Sequence, residues 1–385
     1  MKEKMIQAFL ELYGGERGDV EVFFAPGRVN LIGEHIDYNG GYVFPCALDF
    51  GTYAAVRKTN SNKVNFATLN FDLKVTTELD CILYKEEDDW TNYPKGVIKM
   101  FQEDGCTVCG MDILYYGNIP NGAGLSSSAS LEVLTAVLVN ELGQYGKDMV
   151  EMVKMSQRAE NKFVGVNCGI MDQFAVGMGK KDNAILLDCN TLEYTYAPFI
   201  LKGAKLVIGN TKKRRGLADS KYNERREECE YALSKLQEVI SIKNLCELEE
   251  EAFLKYQQVI DNPIARNRAK HAVLENDRTK KAVIALKEGN LQSFGELINA
   301  SHVSLRDLYE VTGIELDTMV EEALKIEGTI GSRMTGAGFG GCTISIVKEE
   351  AVDHFIKTVG ENYEAKTGLK PEFYVANVGT GASRI

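Results

Sequence analysis

Apolar and polar positions divide the chain into a strand-rich first third and a series of helical blocks. "DVEVFFAPG" (residues 19–27) and "GTYAAVRKT" (51–59) alternate, or carry β-branched and aromatic side chains, between Gly, Pro and Asn punctuation. That is the pattern of half-buried strands. "MDILYYGNIP" (111–120) reads as another strand running into a loop. The period then lengthens. In "SASLEVLTAVLVNELGQYG", Leu131, Leu134, Leu138 and Leu142 fall at i, i+3, i+7 and i+11, which predicts a helix. "DMVEMVKMSQRAENKFVG" (148–165) predicts a second amphipathic helix, and "GIMDQFAVGMG" (169–179) a short one after a glycine. "MKEKMIQAFLELYGG" opens the chain as an amphipathic helix stopped at Gly14-Gly15.

In the second half a strand, "AKLVIGNT" (204–211), leads into a long charged helix, "LADSKYNERREECEYALSKLQEVI" (217–240). Residues 244–325 are helix-rich. "GSRMTGAGFGGCTISIV" (331–347) is a glycine loop followed by a strand, and "KPEFYVANVGTGASRI" (370–385) a last strand with a coil end. No internal repeat or low-complexity linker is visible. The order predicts an α+β chain of two domains, 1–195 and 196–385.

Composition adds exclusions. The 385 residues are 44% hydrophobic and 26% charged, with no bias toward disorder or a fibrous repeat. The net charge of −11 disfavours nucleic acid and anionic membranes as partners. The first residues lack the layout of a signal peptide. No apolar run approaches the roughly 18 residues of a membrane span, so a cytoplasmic protein is expected. Nine cysteines lie scattered, and free thiols are expected. Cys106 and Cys109 form a CxxC, but no second pair lies at zinc-ligand spacing.

Three segments carry candidate chemistry. "GNIPNGAGLSSSASLEV" (117–133) runs strand, Gly122-Ala123-Gly124, three serines, helix. Glycines let backbone N–H groups approach an anion, and a helix N-terminus adds free N–H groups and a partial positive charge. Ser126, Ser127 and Ser128 can cap the helix or offer hydroxyls to phosphate or Mg²⁺. No Gly-Lys-Ser/Thr follows, so this is no Walker A loop, and a plain capped turn would show the same residues. Gly336, Gly338 and Gly341 spell GxGxxG, but a strand follows them and a helical region precedes. That context excludes dinucleotide binding and leaves a loop that closes over phosphates or lets two segments approach. "APGRVNLIGEHIDYNGGYVFP" (25–45) holds Arg28, Glu34, His35 and Asp37 among glycines and prolines. Taken singly, each candidate also has a plainer reading. Arg28 suits a surface ion pair, Asp172 a helix-start carboxylate, and Glu160 a solvated helix face. His35 suits a structural role and Trp90 a core anchor. The basic run "TKKRR" (211–215) suits a solvated or ATP-facing turn better than a nucleic-acid patch.

Together these segments resemble the GHMP small-molecule kinases, and "GRVNLIGEHIDYNGG" closely resembles the signature of the galactokinase family among them. "WTNYPKGV" at Trp90, "CGIMDQF" at Cys168 and "LADSKYNERREEC" at Leu217 extend the resemblance from about residue 20 to the end. It departs at Ile36, where many members carry Thr, at Asn121, where Leu is common, and at Asn161, where His is common. The resemblance implies an active site in a cleft between two domains. It also implies ATP as co-substrate with Mg²⁺, and transfer to the C1 hydroxyl of α-D-galactose. Asp172 would accept the hydroxyl proton, and Arg28 would pair with it near the moving phosphoryl group. Glu34, His35, Asp37, Gly169, Asp172 and Tyr222 would hold the sugar. Gly122, Ala123, Gly124, Leu125, Ser126, Ser127 and Ser128 would hold the triphosphate. Trp90 and "NYPKG" would line the adenine pocket, and Ser128 and Glu160 would bind Mg²⁺. A monomer is expected. The rivals are an N-acetylgalactosamine or other sugar 1-kinase, and a galactose- and ATP-sensing regulator. "SSSAS", Arg28 and Asp172 are all present, which favours catalysis over sensing.

Overall fold

The strand-rich third forms one sheet that is antiparallel except at a single pairing. In chain order its strands and those of the two smaller sheets are β1 (Glu21–Asn30), β2 (Tyr42–Val43), β3 (Pro45–Thr59), β4 (Lys63–Thr68), β5 (Val75–Glu78) and β6 (Gly110–Gly117). There follow β7 (Asn183–Asp188), β8 (Tyr194–Pro198), β9 (Ala204–Asn210), β10 (Thr329–Thr335), β11 (Cys342–Lys348), β12 (Glu372–Ala376) and β13 (Ser383–Arg384). The main sheet has the order β13-β1-β3-β6-β4-β5, with β4 and β6 parallel. A second sheet runs β10-β11-β9-β12, and a third β2-β7-β8. This computed structural model describes residues 1–120, 123–213 and 218–385, without the side chains of 218–220.

The helices are α1 (Lys2–Tyr13), α2 (Asn92–Glu103), α3 (Ser127–Gly143), α4 (Met149–Ala159), α5 (Met171–Met178) and α6 (Ala218–Gln237). Next come α7 (Glu250–Tyr256), α8 (Pro263–Lys287), α9 (Leu291–Ser304), α10 (Gly313–Leu324) and α11 (Val352–Thr367). None among the described residues is long and apolar enough to cross a membrane. In α3 Leu134, Leu138 and Leu142 are buried as their spacing predicts, but Glu132, Thr135 and Asn140 are buried too. The helix packs against β1 and β3 and is covered by α2, α4 and α5, so it has almost no wet face.

Two local features differ from expectation. The coil end carries β13, which pairs with β1 through Phe23–Arg384 and Phe24–Ser383. A strand, β10, and not a helical region, precedes the second glycine loop. The loop therefore joins two antiparallel strands.

The halves of the chain share core. Val29, Leu31, Phe44 and Leu48 belong to one buried cluster with Leu206, Ile208, Ile344 and Ile346 of the second sheet. The ends of β1 and β3 are thereby fixed against the later half, and the segment after β1 lies where both halves meet.

Candidate active site

The alternation of β1 breaks at a bulge between Pro26 and Arg28. A bulge re-aims the side chain that follows it. Gly27 sits in that break, where a Cβ would lie a tight 3.0 Å from the Leu125 carbonyl oxygen. The glycine- and serine-rich loop before α3, the expected phosphate loop, docks on the bulge as the Arg28 N–H donates to that carbonyl at 3.2 Å. The buried guanidinium then donates twice to Asp172, from Nε to Oδ1 and from Nη2 to Oδ2, both at 2.8 Å. Its Nη1 donates to the Gly124 carbonyl at 2.7 Å. One arginine thus ties the main sheet, the phosphate loop and α5 together, through the bidentate geometry that makes such pairs strong.

The phosphate loop keeps its helix end free. Ser126 occupies the N-cap of α3 at φ 60°, but its side chain caps nothing. Its hydroxyl donates to Asp172 instead. By contrast, α4, α8 and α9 are capped by Asp148, Asn262 and Asn290. The first N–H groups of α3 thus lack a side-chain partner, the arrangement that receives an anion. Capping, one of the two roles read for Ser126, is not what the structure shows. Ala123 and Leu125 are core anchors. Gly122 lies outside the described residues.

Beside the Arg28–Asp172 pair opens a cavity of about 140 Å³ lined by Glu34, His35, Asp37, Gly169 and Tyr222. Glu34 is fixed from two sides. The Gly336 N–H donates to Oε1 and Asn30 Nδ2 to Oε2, each at 2.6 Å. Burial pushes its carboxyl above the usual range, and Arg333 and then Arg28 pull it back. His35 has φ 60°. Burial lowers its pKa to about 3, so the ring is neutral. Its Nε2 lies 3.1 Å from the Ala337 carbonyl and its Nδ1 2.7 Å from the Tyr38 hydroxyl. The neutral tautomer that satisfies both donates from Nε2 and accepts at Nδ1. Asp37 is raised to about 7, first by burial and then by repulsion from Asp172 and Glu34. Gly169 is required beside it, because a Cβ would stand 1.8 Å from Asp37 Oδ2. Tyr222 on α6 places its ring 5.5 Å from that of His35. Ile36 does not line the cavity. It is buried in the core, and a Cβ on Gly41 would lie 2.9 Å from its Cδ1.

A second cavity, of about 190 Å³, adjoins the serines of the phosphate loop. Trp90, Tyr93, Tyr115, Ser127, Ser128 and Leu131 line it. Trp90 also stacks edge-on against Tyr115 at 5.7 Å and packs on the main core, as its plainer reading as a core anchor expects. Phe71, from the loop after β4, lines the same cavity and carries no sequence signal for that place.

Glu160 is buried, not on a solvated face. It begins a single wide π turn, Glu160–Val164, that closes α4. Such turns recur at functional sites. Gln173 Nε2 donates to its Oε2 at 2.6 Å. Burial raises Glu160 to about 7, while hydrogen bonds from Cys168 and Ser128, among others, draw it down. Glu160 lines the first cavity and Ser128 the second, and a side-chain hydrogen bond joins the two residues. A hydroxyl and a carboxylate are hard oxygen donors that fit Mg²⁺, with phosphates and water completing the shell. Glu132 and Gln173, buried around Glu160, had no signal in the sequence beyond their helices.

In the second glycine loop Gly336, Gly338 and Gly341 have φ of 85°, 78° and 90°. A Cβ on Gly336 would lie 2.9 Å from the Gly124 carbonyl, so this loop closes on the phosphate loop. Lys212 and Lys213 are paired with Glu372 at 2.7 Å and Glu315 at 2.6 Å. Arg214 and Arg215 lie outside the described residues. All nine cysteines are free thiols, and the described residues hold no cluster of three or more His, Cys, Asp or Glu that could bind a metal.

The chain falls in the class of the GHMP kinases. Residues 92–180 match the GHMP kinases N terminal domain and 282–365 the GHMP kinases C terminal family. Residues 7–58 match the galactokinase galactose-binding signature. A galactokinase of Clostridium acetobutylicum is 59% identical over 94% of each chain, and one of Fusobacterium nucleatum 58% identical over 100% of each. The crystal structure of Lactococcus lactis galactokinase complexed with galactose superposes with a TM-score of 0.97 at 46% identity, covering 100% of both chains. The chain belongs to the galactokinase family and is an ATP-dependent sugar kinase.

Proposed function

We propose that galactose occupies the 140 Å³ cavity and that the triphosphate of ATP lies over the free N-terminus of α3, with adenine in the Trp90 cavity. The observation that carries this reading is the bidentate Arg28–Asp172 pair, which lines the first cavity and is bonded to the phosphate loop at the Gly124 carbonyl and the Ser126 hydroxyl. The C1 hydroxyl of galactose attacks the γ-phosphorus as the bond to the bridging oxygen of ADP breaks. Asp172 takes the hydroxyl proton, and the products are galactose 1-phosphate and ADP. Arg28 neutralises charge on the moving phosphoryl group and holds Asp172 in register. Phosphoryl transfer through a loose transition state asks more of positioning and electrostatics than of base strength.

Asp37 and Glu34 accept hydrogen bonds from the sugar hydroxyls, Tyr222 and the Gly169 backbone add contacts, and His35 walls the site. A site that pairs every hydroxyl rejects an epimer by leaving polar groups unpaired. Ser128 and Glu160 would hold Mg²⁺, which neutralises the phosphates when bound. Nine free thiols support a reducing, cytoplasmic setting. The division into 1–195 and 196–385 would separate most of the main sheet from the second sheet, with its boundary inside β8 and β13 returning to the main sheet.

Incubation with ATP, Mg²⁺ and a sugar panel, read by ³¹P NMR, tests the function. Galactose should give one new sugar 1-phosphate per ADP, and chelation should stop its formation. Turnover of N-acetylgalactosamine with galactose inert would overturn the reading.

A further inference from the structure

We propose that Arg333 is a positioning residue for sugar recognition, holding Glu34 in its charged, hydrogen-bond-accepting form from beneath the cavity. The inference rests on the reading of Glu34 as a sugar ligand. Arg333 lies in β10, three residues before Gly336, and is fully buried. Its Nη1 donates to the Asn30 carbonyl at 3.2 Å, and its Nη2 stands 3.5 Å from Glu34 Oε1. Nε and Nη2 have no hydrogen-bond partner.

Arg268, fully buried like Arg333, shows what a structural guanidinium looks like. Its Nε meets Glu228 at 2.8 Å, its Nη1 the Leu308 carbonyl at 2.6 Å and its Nη2 Glu310 at 2.7 Å. A buried cation left so far short of its partners is costly, and its use is its field. Two carboxylates feel that field, Glu34 and Glu275. Glu275 is already satisfied by Arg278, by Ser301 at 2.5 Å and by the Gly33 N–H at 3.1 Å. Glu34 has only the neutral donors Asn30 and Gly336, with Arg28 as a second cation and Asp37 as an opposing anion. His271 takes its backbone carbonyl at 3.1 Å.

A carboxylate offers acceptors only while ionised, and a protonated one would turn a donor toward the sugar. Arg333 and the Gly336 N–H act on the same carboxylate from one strand end. Gly336 also abuts Gly124, so the contact that fixes a sugar ligand continues into the phosphate loop.

The test is calorimetric titration of galactose, and separately of a non-hydrolysable ATP analogue, into full-length wild type, Arg333→Met, Arg333→Lys and Glu34→Gln from pH 6 to 9. Arg333→Met should weaken galactose by about tenfold or more at pH 6.5, since each unit of pKa shift is a factor of ten. The ratio of its Kd to that of wild type should shrink as pH rises and Glu34 ionises unaided. Taking the ratio cancels the titration of Asp37, and analogue affinity should stay within about twofold. Arg333→Lys keeps a cation without the fork, and should lose about threefold at every pH. A pH-independent ratio for Arg333→Met, or an equal loss of analogue binding, overturns the proposal. Should Arg333→Met not fold, Arg333→Lys decides: galactose affinity equal to wild type, or a loss shared with the analogue, overturns it. Near-wild-type galactose affinity in Glu34→Gln removes the sugar-ligand reading and this proposal with it. A weakened Glu34→Gln beside a pH-independent Arg333→Met removes only the part given to Arg333.

Discussion

Asp37 shares its pocket with Asp172 and Glu34, and that crowding, added to burial, lifts it to about 7. Galactose hydroxyls need its ionised form, so affinity should be lost as pH falls through that value. Between pH 8 and pH 6 the ionised fraction drops about tenfold, and the galactose Kd should rise by about the same factor. Asp37→Ala should weaken galactose far more than ATP, as calorimetry of each ligand would show. A Kd flat in pH would remove Asp37 from the sugar, and equal loss of both ligands would point to misfolding. At this scale the sequence was informative where residues cluster. Arg28, Glu34, His35 and Asp37 lie within ten positions, and all reach one cavity. It was silent where partners are distant. The Arg28–Asp172 bond spans 144 positions, and only the resemblance paired the two. Gln173 and Arg333 look like any helix or strand residue until the fold shows what they touch.

Elements position these side chains through glycines and one unused cap. Gly169→Ala would drive a methyl into the Asp37 carboxylate. It should cost galactose affinity about tenfold or more by displacing that group, while ATP affinity holds. Titration of both ligands checks this, and an unchanged galactose Kd would contradict the contact. Long elements were legible because their periods are clear: α1, α3, α4 and α6 fall where the patterns put them. The exceptions have physical causes. β2 and β13 are two residues each, too short to show a period. The wide turn at Glu160–Val164 continues the apolar pattern of α4 and hides the change of winding. The role of Ser126 was misread in part because a serine before a helix is normally its cap, and here Asp172 takes the hydroxyl.

At the scale of the molecule, one buried cluster joins both halves of the chain. Ile344→Ala, in the second sheet, should therefore cost roughly 2–5 kcal/mol. It should shift the unfolding seen by the single tryptophan, Trp90 in the first half, together with that seen by far-ultraviolet circular dichroism. Separate transitions, with the Trp90 signal unmoved, would show two independent units. The α+β class followed from the order of periods, but the shared core did not, because sequence patterns carry no information about which distant faces meet. The central claim is that Asp172, clamped by Arg28, serves the chemistry and not merely the binding of the sugar. It is tested most directly by measuring kcat and the galactose Kd of Asp172→Asn on the same preparation. The account expects turnover to fall by about a thousandfold or more while galactose still binds within about tenfold of wild type. Near-normal turnover by that variant would contradict it.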